Sequence, residues 1–471
     1  MQVKEDGQIK GLQWGSAFSE IGGGSIRFTS GSDAQFDFLL FESEISACKA
    51  HAKMLLKQGI IAQEEAGWIF AGLVELEGLG EGEKQAKVSA SEDVHSAVLS
   101  FLEEKHGVKN LHCGRSRNDL VACDEKLFLK KQAKEMQVAL GSLVKALAKK
   151  ALEHANSPMP GYTHHQPALP TTFGHTLLAF AYAFQRDSQK FANFIELHDS
   201  NPLGAGVGFG TTFPIDAEQT TEELGFGKTQ ENSLDAVSNR WEPQADFAYA
   251  CASAMTHLSI LAQTLLIFSM KETGFATLED AYATGSSAMP QKKNPDVLEA
   301  IKAKTAKTQA SLLQVLSTAK SNLAGYNKDL QWGKYCVMES AFEAKTAVET
   351  AAEVVGCLGV NAEKMGKAAE ENFIGALSVA EQLKQEHEIG FSSAKKIVEN
   401  AVAQSSGKGL AKIDAATLNK LLAEAGASVT PEEMEKWQDA KWIVSKTGES
   451  GPNPAHVLKK AGELLAAKKQ E

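Results

Sequence analysis

The sequence predicts an all-α protein, a bundle of long helices. Apolar residues recur at spacings of three and four over extended stretches, which marks buried helix faces. No stretch alternates apolar and polar residues with the period of two that half-buried strands require. Glycine and proline fall between these stretches, where helices must stop. Three regions are expected: an N-terminal part over 1–115, a central long-helix bundle over 116–365, and a small helical C-terminal part over 366–471.

In chain order, residues 1–40 are glycine-rich, with Gly22, Gly23, Gly24 and Gly31, and read as a loosely structured arm. From Phe38 the pattern turns helical and runs to Gly59, which suits the left-handed position after a helix end. A further helix is expected over 60–79. Over 91–106, the string SEDVHS places acids where a helix N-terminal dipole favours them. The helix expected over 121–155 has one buried face carrying Met136, Leu140, Leu143, Val144, Leu147 and Ala151. Pro158 and Pro160 then break the chain and deliver Thr163, His164, His165 and Gln166 on a loop. A helix over 172–198 leads to a glycine ladder, Gly204, Gly206, Gly208 and Gly210. The ladder lacks a preceding strand and does not fit GxGxxG, so it is not a nucleotide-phosphate loop. Residues 247–270 contain no Asp, Glu, Lys or Arg, yet are rich in Ala, Ser and Thr and hold His257 and Gln263. They read as a buried bundle helix and not as a membrane span. A further long helix is expected over 296–320.

Composition narrows the function classes. Hydrophobic content of 43% with 23% charged residues is ordinary for a soluble globular protein. The net charge of −11 argues against non-specific nucleic-acid binding and leaves room for a local basic pocket. The six cysteines form no CxxC pair and no His-linked metal spacing, as expected of reduced cytoplasmic thiols. The polar start MQVKEDGQIK lacks the apolar core of a signal peptide.

The chemistry gathers at TGSSAMPQKKNPDVLE, residues 284–299. Gly285 and Pro290 keep Ser286 and Ser287 on a loop. Asn294 is placed to cap the following helix, and Pro295 suits its first position. Two lysines and an amide beside a helix start make a site for a carboxylate or oxyanion. A second cluster, LHCGRSRNDLVACDEKL, crowds Arg115, Ser116, Arg117 and Asn118 ahead of a long helix. Arginine forks suit bidentate carboxylate binding. Any one of these residues, taken singly, is as readily a surface group.

Together the strings resemble the fumarase/aspartase superfamily, and within it the argininosuccinate lyases. The loop 284–299 is similar to the superfamily's GSSxMPxKxNP motif, in its KKNPD form. GRSRND, MPGYTH, NSLDAVSN and YNKDLQ follow the family's further motifs in order. The resemblance implies anti elimination of a C–N bond with release of fumarate, and no metal or organic cofactor. It implies Ser286 as base, Lys292 and Asn294 as holders of the carboxylate that becomes the aci-form, and His164 on the acid side, steered by Glu299. It further implies Ser116, Arg117, Asn118 and Thr163 at the succinyl carboxylates, Tyr326, Gln331 and Lys334 at the amino-acid portion, and His95 as a substrate contact. Departures from the usual motifs at Cys113, Leu120, Ala205 and Asn239 leave a modified citrulline-type substrate open beside argininosuccinate. Adenylosuccinate cleavage, or a catalytically silent, crystallin-like protein, would also fit the superfamily. Partners are expected to be the small-molecule substrate and three further copies of the chain, with no nucleic acid and no membrane. The homotetramer also answers a geometric demand. A helix of about 35 residues rises roughly 50 Å and would separate Arg117 from His164. If both serve one substrate, different subunits must supply them.

Overall fold

The computed structural model describes residues 28–467. It is mostly helical, as the periodicity predicts, with five helices of 24 residues or more: Arg117–Glu153, Phe173–His198, Trp241–Ser269, Asp296–Ala319 and Trp332–Cys357. The chain forms two compact units. One takes residues 28–137, Gln189–Ala254 and Lys304–Lys345; the other takes Val138–Ser188, Met255–Ala303 and 346–467. Every boundary between them falls inside one of the five long helices, so each helix contributes a segment to both units.

In the first unit, the helix Phe41–Lys57 packs on Gln63–Glu77, Val94–His106 and Ala217–Leu224. It ends as expected, with Gly59 at φ +67°. Asp93 caps the helix Val94–His106 by accepting from the Ser96 N–H at 2.8 Å. The expected loose arm requires correction in part. Residues 1–27 lie outside the described residues, but Asp33–Phe36 and Asp37–Leu40 are already helical. The helix expected from residue 121 begins at Arg117, which puts Arg117 and Asn118 in its first turn. Its apolar face is buried as read, with Met136 wholly enclosed in this unit.

The second unit holds the one substantial departure from helix among the described residues. Residues expected to be a loop form a hairpin, Pro158–Thr163 against Gln166–Thr172. His164 and His165 are its turn, at φ +53° and +60°. Two consecutive positive φ values give the primed turn whose twist matches paired strands. The ribbon rests on the helices Ala362–Ala368 and Ala440–Lys446. Towards the C terminus, Ala376–His387, Phe391–Gly407, Ala415–Leu422 and Pro431–Gln438 enclose Trp437, which is fully buried. The helix Trp241–Ser269 is long and apolar enough to cross a membrane, and half of its most apolar window is buried within the protein.

Candidate functional site

The expected site residues fall into two groups, one in each unit. In the second unit, the segment 284–294 is closed at its base by reciprocal bonds. Thr284 N–H donates to Asn294 O at 3.0 Å, and Asn294 N–H donates to Thr284 O at 2.8 Å. Within this loop the Ser286 hydroxyl oxygen accepts the backbone N–H groups of Met289 at 3.1 Å and Ala288 at 3.4 Å. Donors aimed at that oxygen favour its anionic form. Lys293 is spent on the loop base, donating to Leu278 O at 2.5 Å and pairing with Asp280 at 2.6 Å. The Lys292 side chain stays exposed, with no partner among the described residues. Asn294 does not cap the helix. Its amide donates to Gly285 O at 3.2 Å, while Leu298 N–H donates to Pro295 O, so the helix begins after Pro295. Thr163 and His164 are exposed at the hairpin tip, and Glu299 is exposed on its helix. Among the described residues, no hydrogen bond or ion pair joins Glu299 to His164 within this chain.

In the first unit, Ser116 immediately precedes the helix, and its hydroxyl accepts the Asn118 N–H at 3.3 Å. Asp119 answers by accepting the Ser116 N–H at 2.8 Å. Its other oxygen accepts the N–H groups of Gly206 at 2.8 Å and Gly204 at 3.2 Å. The glycine ladder is therefore tied to the GRSRND turn, and Asn118 Nδ2 adds a bond to Val207 O at 3.3 Å. Gly206 has φ +58°, and a Cβ there would lie 2.9 Å from Gly210 O, so the loop has room only for glycine. Burial raises the Asp119 carboxyl to about 6. The sequence suggests Asp119 only as a salt-bridge partner for the arginines of this turn, although Ser-x-x-Asp ahead of an apolar run is a capping-box signal. Asp119→Ala would strand the buried Gly206 N–H, at roughly 1–3 kcal/mol before relaxation, and leave the part-buried Gly204 and Ser116 N–H groups to water. We expect a lower melting temperature and a raised substrate KM, read by calorimetry and steady-state kinetics.

Arg117 is held from three sides. Its Nε meets Asp93 at 3.2 Å, one Nη meets Glu92 at 3.1 Å, and the other donates to Ser96 Oγ at 3.1 Å. Arg115 is not a second open fork: it is buried, with both Nη atoms against Cys48 Sγ. His95 has no exposed surface. Its Nδ1 is 3.0 Å from Glu44, and its Nε2 has no partner among the described residues. Tyr326 donates to Gln331 Oε1 at 2.8 Å, and the Gln331 amide donates to Asp33. Lys334 is enclosed between Asp33, at 2.5 Å, and Asp37. Against a burial that opposes its charge, those two acids hold the Lys334 ammonium above the usual lysine range. Asp37 also accepts the Val94 N–H at 3.3 Å, joining this network to the EDVH turn. Of the four motif departures, Leu120 packs with Ala47, Cys123, Leu203 and Phe226, and Ala205 packs with Ala236 and Val237. Asn239 donates to Asp235 at 2.7 Å, and the Cys113 carbonyl faces His51 at 2.8 Å.

A family model described as lyase matches residues 27–309. The argininosuccinate lyase of Desulforamulus reducens is 40% identical over 374 residues, covering 79% of this chain and 81% of that protein. The chain belongs to the argininosuccinate lyase family. The argininosuccinate lyase of Carboxydothermus hydrogenoformans is 36% identical over 461 residues, covering 96% of this chain and 99% of its own. Among solved structures, EDDS lyase in complex with formate superposes with a TM-score of 0.83 at 26% identity, covering 94% of this chain and 89% of that one. The class II fumarase of Schistosoma mansoni, at 17% identity, has a TM-score of 0.72 over 88% of this chain and 91% of its own. That likeness concerns the fold: the family member described here has the fumarase/aspartase architecture. Its chemistry is that of a fumarate-releasing C–N lyase.

Proposed function

We propose that the protein cleaves argininosuccinate to arginine and fumarate in the cytoplasm, as a homotetramer whose sites draw on more than one chain. The observation that carries the chemistry is the pair of backbone N–H groups on the Ser286 oxygen. An unassisted serine is a poor base, and these donors lower the cost of its alkoxide. Ser286 removes the proton beside a succinyl carboxylate. Lys292 and Asn294 hold the negative charge that develops on that carboxylate. Thr163, Ser116, Arg117 and Asn118 bind the succinyl half, and His164 stands on the acid side, where the leaving nitrogen takes a proton. Tyr326, Gln331 and Lys334 shape the region of the amino-acid half, through the Asp33 network that joins them.

The assembly reading rests on the helix Arg117–Glu153. Its 37 residues correspond to a rise of about 55 Å, between the GRSRND motif at its start and the hairpin beyond its end. Exposed apolar side chains on the long helices, including Ile260, Leu313 and Phe342, suit packing against further copies. The direct test offers the purified protein argininosuccinate and, separately, adenylosuccinate, and follows the ultraviolet absorbance of fumarate. Release from argininosuccinate alone is the expected result. Release from adenylosuccinate alone would replace the substrate, and release from neither would remove the activity.

A further inference from the structure

Besides Arg115, which is buried against Cys48, four cations lie among the substrate-binding motifs of the first unit, and three of them are already matched. Arg117 faces Glu92 and Asp93. Arg240 pairs with Glu125 at 2.7 Å and covers the Tyr326 ring. Lys334 lies between Asp33 and Asp37. The fourth is Lys328, at the head of the short 3-10 turn Lys328–Gln331. It is half-buried, and its ammonium makes no hydrogen bond or ion pair with any described residue.

An ammonium held partly out of water without a partner is unfavourable, and an arriving anion relieves it. The surroundings sharpen this. Burial pulls Lys328 below the usual lysine range, and Asp33 and Glu92 support its charge only from a distance, while Lys334 and Arg117 oppose it. Lys334 faces two acids of its own, so it has no surplus charge to offer a carboxylate. Arg117 is likewise charge-matched by Glu92 and Asp93, so it meets the succinyl half with its remaining N–H donors and not with surplus charge. Lys328 is the position in this group where an incoming carboxylate meets an uncompensated positive charge.

We propose that Lys328 receives a carboxylate of the substrate, and so determines affinity in the first-unit half of the site. The inference rests on the elimination reading above, which supplies two possible sources: the succinyl half, which leaves as fumarate, and the amino-acid half, which leaves as arginine. The chemistry at Lys328 is the same for both, a charge-assisted bond from an ammonium to a carboxylate oxygen. Such a bond corresponds to about a tenfold change in affinity or more. A solvated surface lysine would give no measurable change.

The test measures binding of fumarate, arginine and agmatine to the full-length wild type, to Lys328→Met and to Lys328→Arg by titration calorimetry, with no turnover required. Lys328→Met is expected to weaken one product by about tenfold or more, and Lys328→Arg to stay within about threefold of wild type. Loss of fumarate binding assigns the succinyl carboxylate. Loss of arginine binding, with agmatine unchanged because it lacks the carboxylate, assigns the amino-acid half. In turnover, Lys328→Met should raise KM by a similar factor while kcat stays within about threefold of wild type. If Lys328→Met binds both products as the wild type does, or if the wild type binds neither, the inference is overturned. A wild type that releases no fumarate from argininosuccinate, yet binds a product in a Lys328-dependent way, overturns the substrate reading and leaves Lys328 in its role.

Discussion

Replacing Ser286 with alanine is expected to lower kcat for fumarate release by at least about a thousandfold, the upper part of the range for a positioned proton-transfer group. Stability should hardly change. Ser286 is half-exposed on a loop whose base is closed by the Thr284–Asn294 bonds and by Lys293 on Leu278 and Asp280. None of these anchors uses the serine hydroxyl. The Met289 N–H and Ala288 N–H lose their acceptor, but both residues are exposed and water replaces it. Substrate KM should therefore stay within about threefold of the wild type, because the hydroxyl acts on a proton and holds no carboxylate. A Ser286→Ala protein that keeps more than about a tenth of the wild-type turnover would show that another group is the base.

The second large effect concerns mixtures. Arg117→Ala and His164→Asn should each be inactive alone and regain about a quarter of wild-type activity when unfolded together and refolded. A site that takes its arginine from one chain and its histidine from another is intact only when both donors are unmutated. With random assembly of equal amounts, that probability is one half multiplied by one half. The Arg117→Ala chain carries an added burden, because Glu92 and Asp93 lose the cation between them. A lowered melting temperature is expected for it, and its folding is checked before mixing. A mixture as inactive as its parents, with subunit exchange demonstrated by mass spectrometry, would place both residues in sites that are not shared.

The helices were legible because their apolar spacing is strong. Met136 and Leu140 recur on one face and are fully buried, and Gly59 adopts the left-handed conformation that its position after a helix requires. The hairpin was not legible. Pro158 and Pro160 read as loop punctuation, yet an isolated two-stranded ribbon has outer edges where a missing N–H, at these prolines or at Pro167 and Pro170 on the second strand, goes unnoticed. Asp33 and Asp37 were missed for a different reason. Acids in a glycine-rich stretch read as solvated, and only the fold brings Lys334 between them. The loop around Ser286 was recognised from its string of residues. The resemblance named Lys292 as a holder of the carboxylate and gave Lys293 no role; the structure anchors Lys293 on Leu278 and Asp280.

The turn at His164–His165 has a consequence for anyone who selects this protein for heat tolerance. Both residues hold a left-handed backbone that costs an ordinary side chain about 1 kcal/mol or more and costs Asn or Gly much less. Asn-Gly is the pair this turn geometry favours most. A selection that scores only survival at high temperature should therefore accumulate substitutions at these positions; each would tighten the ribbon, and those at His164 would also remove the proposed acid. Selected clones that melt higher and release no fumarate would be the mark of that trade.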